Sequence, residues 1–111
     1  NEQPNVLVLS SVLGYLYKPY EWIEKFIKLN FKSIIIDRTC FIHNSTDMIT
    51  IQNVPEYIYK ASYPMWLFNK EKFLNIFKEY NIISEFSSCA DNDYVISGKV
   101  GSWAGLILEK K

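Results

Sequence analysis

Three short clusters hold most of the side chains able to take part in chemistry. Asp37-Arg38-Thr39 sets a carboxylate, a guanidinium and a hydroxyl in consecutive positions. Such an Asp can orient or deprotonate an acceptor hydroxyl, and such an Arg can grip a carboxylate or phosphate. The plainer alternative is a local Asp–Arg ion pair that closes a strand end, with a hydrogen bond from Thr39. Ser10-Ser11 follows an apolar run; its hydroxyls either face a ligand or satisfy backbone groups where the strand stops. Tyr15 lies in the same loop and either presents its hydroxyl or ring to a ligand or packs under a helix. Tyr63-Pro64-Met65-Trp66 offers an aromatic wall for a substrate, or a hydrophobic staple ahead of a helix. His43 is the only histidine. Imidazole suits a general base, but a lone His in a polar loop is otherwise simply solvated. Cys40 and Cys89 show neither metal-ligand spacing nor a partner base, so neither a metal site nor a thiol nucleophile is expected. No catalytic dyad stands out, and catalysis would fall to Asp37 or His43.

These residues need elements to position them. Val6-Leu7-Val8-Leu9 and Phe31 to Ile36 are continuous apolar runs, the pattern of strands buried on two faces. Pro19 opens a helix that runs to about Leu29, with Trp22, Ile23, Phe26 and Ile27 as its buried stripe and Asn30 at its end. A crossover of this length suits parallel strands, whose carboxyl ends share one edge of the sheet. Ligands of open α/β sheets bind beyond that edge, where Ser10-Ser11 and Asp37-Arg38-Thr39 would meet. Thr39 to Asp47 reads as irregular, Met48 to Val54 as a short, partly exposed strand with Glu56 to Ala61 as its partner in an excursion hairpin, and Ser62 to Trp66 as an aromatic loop. Asn69 caps a second helix from Lys70 to about Tyr80. Ile82 to Ser87 and Trp103 to Glu109 complete the main strands. The last arrives through a loop and should run antiparallel to its neighbour.

At 111 residues the chain makes one domain, spanning 1–111. Twelve basic residues balance twelve acidic ones, which argues against a nucleic-acid or anionic-membrane partner found by bulk charge. No apolar run is long enough to span a membrane and no signal peptide opens the chain, so a cytoplasmic location is expected.

SSVLGYL, then DRT, then YPMW ahead of a helix resembles the C-terminal half of class I S-adenosylmethionine-dependent methyltransferases. More narrowly it is similar to bacterial members associated with surface-polysaccharide synthesis. The resemblance implies an α/β, Rossmann-like half-fold: a mixed, mostly parallel sheet in the order 4-5-7-6, last strand antiparallel, with two main helices. It implies that Ser10, Ser11 and Tyr15 face S-adenosylmethionine in the parent protein. It also implies that Arg38, Thr39, Tyr63 and Trp66 face a small-molecule or sugar-linked acceptor.

The chain departs from that family at two points, both in the part that holds the cofactor. It has no Gly-x-Gly after a strand to hold the cofactor, and no acidic ribose holder. The resemblance therefore describes the substrate-side half, and the isolated chain is expected to bind no S-adenosylmethionine and to be inactive. Without the other half the first strand is an edge, and association through Asn5 to Leu9, with a second copy or with the missing half, is expected. The alternatives are a non-catalytic protein-interaction module that keeps half the fold, or a fragment of a nucleotide-sugar enzyme.

Overall fold

A computed structural model describes residues 5–54, 56–58, 61–87, 94–96 and 98–111. Cys89 lies outside the described residues. The chain opens with β1 (Val6–Ser10), a single 3₁₀ turn at Leu13–Tyr15, α1 (Pro19–Lys28) and β2 (Ser33–Ile42). β1 and β2 pair in parallel, with Val8 opposite Ile35 and Ser10 opposite Asp37. The crossover expected between the two apolar runs is thus present. Pro19 starts α1 where its missing N–H costs nothing, and Asn30 beyond its end takes the left-handed φ of 57° that Asn tolerates.

The rest of the chain is mostly strand: β3 (Met48–Val54), β4 (Ala61–Leu67), the two-turn α2 (Lys70–Ile76), β5 (Tyr80–Ser87), β6 (Tyr94–Ile96) and β7 (Lys99–Lys110). The main sheet has the order β1-β2-β7-β5, with β6 hairpinned onto β7, while β3 and β4 form a separate two-stranded ribbon.

The expected Rossmann-like, mostly parallel α/β half-fold is overturned. Among the described residues β1–β2 is the one parallel ladder between strands; the β2–β7, β5–β7, β6–β7 and β3–β4 ladders are all antiparallel. The physical reason is connection length. Among the described residues only α1 supplies a crossover between adjacent parallel strands, whereas β7 is reached through a hairpin from β6 and runs against β2, β5 and β6 alike.

Several boundaries also move. β2 does not stop at Asp37 but continues to Ile42. It passes through a bulge in which Asp37 and Arg38 together face Gly105, since Ile36 pairs with Leu106 and Thr39 with Ala104. The stretch Ser62 to Trp66 is strand rather than loop, and pairs with β3. α2 ends at Ile76, so Tyr80 opens β5. Trp22 leaves the buried stripe of α1: it is exposed, with its ring beside Phe26 and under Lys25 Nζ at 4.7 Å.

Both helices pack on one face of the main sheet. Ile23 of α1 and Phe73 of α2 join Leu9, Ile34, Ile36, Leu106 and Leu108 in one core. Each such fully buried aliphatic contributes about 1.5–3 kcal/mol over the exposed state. Alternate strand residues point the other way. Val8, Ile35 and Ile107 therefore line up across the opposite face, and Val8 remains 59% exposed.

Candidate functional site

The β1–β2 rim is built by the parallel register. Ser10 lies opposite Asp37, and the Ser11 N–H donates to the Asp37 carbonyl at 3.1 Å. Ser11 and Arg38 both adopt left-handed backbone, with φ of 56° and 49°, which turns the chain sharply at the ends of the paired segment. The Asp37 carboxylate accepts the Arg38 backbone N–H at 2.7 Å, and the Thr39 hydroxyl donates to the Asp37 carbonyl at 3.2 Å. Thr39 is buried, whereas Arg38 is exposed. Much of this cluster therefore shapes the bulge.

The 3₁₀ turn after β1 carries Tyr15 across to β4. The Tyr15 and Tyr63 rings meet edge-to-face at 5.5 Å between centroids. A Cβ on Gly14 would lie 3.3 Å from the Trp66 carbonyl, so the turn lies close against β4. Ser10, Ser11, Arg38 and Thr39 thus gather around Asp37, while Tyr15 and Tyr63 form a second pair joined to them through the 3₁₀ turn. His43 is not among these linked residues. It is exposed, its N–H donates to the Val100 carbonyl at 2.8 Å, and it lines a separate open groove of about 740 Å³ with Asn69 and Ser102.

A second cluster escaped the sequence reading. Asp47 has a side chain only 7% exposed, with Oδ2 at 3.2 Å from Lys72 Nζ and Oδ1 accepting the Asn69 N–H at 2.7 Å. Lys72 Nζ also lies over the Tyr20 ring at 4.7 Å. The Tyr20 hydroxyl is buried without a hydrogen bond of normal geometry. Burial, then the nearby Asp47 carboxylate, push its pKa far above the ordinary tyrosine value. With Trp66 and Thr46 these residues line a pocket of about 410 Å³ beside the start of α1. A lone Asp in a polar loop gave no signal of this. The one sequence hint was Asn69, whose capping role anchors the same corner.

The glycines form no cradle for S-adenosylmethionine. Gly14 is closed against the Trp66 carbonyl, Gly105 lies under the Phe86 ring, and Gly101 is buried within β7. Gly98 sits in the turn between β6 and β7, at φ 76°. None opens a strand-to-helix turn in which a cofactor could rest. Among the described residues no group of three His, Cys, Asp or Glu side chains is placed to hold a metal, and the Cys40 thiol is free and buried. No described helix is long and apolar enough to cross a membrane. Comparison with known proteins finds no matching family model, curated protein or solved structure.

Proposed function

We propose that this chain is the acceptor-side part of an S-adenosylmethionine-dependent methyltransferase whose acceptor is a small molecule or a sugar-linked intermediate. The observation that supports it is convergence. SSVLGYL, DRT and YPMW come from three separate parts of the chain, yet they meet through the Ser11–Asp37 hydrogen bond and the Tyr15–Tyr63 ring contact. Because the described glycines form no cofactor cradle, these residues take no part in the methyl-transfer step itself. Their work is to bind and orient an acceptor, with Arg38 gripping an anionic group and the Tyr15–Tyr63 pair walling its apolar side. The test is transfer of a labelled methyl group from S-adenosylmethionine by the protein that carries this chain. Arg38→Ala and Tyr63→Phe variants should retain their melting temperature. Arg38→Ala should lose about 10- to 100-fold in kcat/KM. Full turnover in Arg38→Ala would remove the reading.

A second reading, a non-catalytic interaction module, is favoured by the β1 edge. Among the described residues β1 has a neighbour on one side, and its Val6 and Val8 side chains are half exposed or more. Val6 to Leu9 carries no charge and no Pro, the devices by which natural edges resist pairing. The same edge is the place for association with a second copy, or with the remainder of an enzyme.

A further inference from the structure

We propose that the pocket of about 410 Å³ beside the start of α1 takes a neutral, polyhydroxylated ligand, such as a glycoside, stacked on Trp66. Its volume falls within the ordinary range for small-molecule sites. Its walls combine the rings of Trp66, Tyr20 and Pro19 with charged groups that are already matched. Lys18 Nζ lies 4.0 Å from Glu21, and Lys72 Nζ lies 3.2 Å from Asp47. An anionic ligand would meet the Glu21 and Asp47 carboxylates beside the lysines, and a cationic one would meet Lys18 and Lys72 beside the carboxylates. Neither gains an unmatched partner. Neutral hydroxyls face no such cost, because they donate to the carboxylates and accept from the ammonium groups without breaking either pair. An aromatic platform with paired polar groups at its border suits the apolar face and hydroxyl rim of a pyranose. Arg38, Tyr15 and Tyr63, assigned above to the acceptor, do not line this pocket, so binding here stands apart from the function proposed above.

The test is a titration of the 111-residue chain followed by amide and indole NMR shifts. The probes are neutral methyl glycosides, with glucose 1-phosphate and glucosamine as charged counterparts. Saturable shifts at the Trp66 indole, Thr46 and Lys72 are expected with a neutral glycoside. Trp66→Leu should weaken binding by at least about tenfold. Thr46→Val, at an exposed position, provides a milder loss if Trp66→Leu fails to fold. Charged sugars should bind no more tightly than neutral ones. Silence from every neutral glycoside up to about 100 mM would overturn the proposal. So would affinity indifferent to both substitutions, or a clear preference for a charged sugar. Glycoside binding without methyl transfer would keep this pocket and remove the acceptor-side reading. Arg38-dependent transfer without glycoside binding would do the reverse.

Discussion

Asp47 and Asn69 hold two distant parts of the chain together through one hydrogen bond, Asn69 N–H to Asp47 Oδ1 at 2.7 Å. Asn69 in turn caps α2, accepting the Lys72 N–H at 2.8 Å and donating to the Asn44 carbonyl at 2.5 Å. The carboxylate thus fixes the loop before β3 against the start of α2. Asp47→Ala leaves a backbone N–H without its partner, and should cost about 1–3 kcal/mol in urea unfolding. Asp47→Asn retains an acceptor oxygen and should cost less. Lys72→Met should destabilise by about 1–3 kcal/mol, because the Asp47 carboxylate that it leaves without a counter-ion is only 7% exposed. An Asp47→Ala protein as stable as the parent would show that the bond adds nothing.

Gly105 lies opposite the bulge in β2. A Cβ there would come within 2.3 Å of the Phe86 ring and 2.9 Å of the Ile36 carbonyl oxygen. Gly105→Ala should therefore destabilise by about 1–3 kcal/mol, since something on either side must move. Truncating Phe86 to Ala removes the ring contact but not the carbonyl. The double variant Gly105→Ala/Phe86→Ala should recover part of the loss and no more, a non-additivity that thermal melts of the four proteins can measure. Full additivity would mean that the ring is not the obstacle.

The sequence made some of this legible, for identifiable reasons. The continuous runs in β1 and β2, with Pro19 between them, specify a crossover with little competition, and Asn69 before a helical pattern is a local signal that needs no tertiary context. The bulge at Asp37-Arg38 was hidden because the residue it lies opposite, Gly105, is far along the chain. β4 was hidden by Pro64, which reads as a loop residue. It is tolerated opposite Ile51 in a two-stranded ribbon, where an outward-facing backbone position needs no donor. The apolar spacing of Phe73, Phe77 and Tyr80 suggested one long helix. Instead the Phe77 backbone, at ψ 40°, ends α2 and lets Tyr80 begin a strand. Asp47 was invisible because a loop carboxylate acquires meaning only when a distant N–H reaches it.

Two tyrosines predict a loss of stability in alkali. The Tyr80 hydroxyl donates to the Phe31 carbonyl at 2.7 Å, and burial, then Glu79, raise its pKa above the ordinary 10.0. Tyr20 is raised as well, by burial and then Asp47. A raised folded-state pKa means that the native state holds the proton more firmly than the unfolded chain. The associated stability is complete below the unfolded-state value of about 10, and is lost as pH climbs through the folded-state values. Urea midpoints should thus be unaffected by these groups between about pH 7 and 9 and fall above about 10. Tyr80→Phe should be less stable at neutral pH by about 1–3 kcal/mol, because the Phe31 carbonyl loses its donor, and should show a shallower alkaline decline. An equal decline in Tyr80→Phe and the parent would remove Tyr80 from the explanation.

The open edge of β1 gives the last prediction. Val8 is 59% exposed, and its neighbours Val6, Leu7 and Leu9 bring no charge to the edge. Lys at position 8 adds a charge that an approaching strand would have to desolvate, while the native fold loses little buried surface. If the chain associates through β1, light scattering should show a concentration-dependent dimer that Val8→Lys converts to monomer. The stability of that monomer should remain within about 0.5 kcal/mol, the ordinary range for a surface change. A comparable charge on the opposite edge strand, Ile83→Lys at a site 56% exposed, should leave the dimer intact. Dissociation by Ile83→Lys alone would move the interface to β5 and leave the β1 edge without a role.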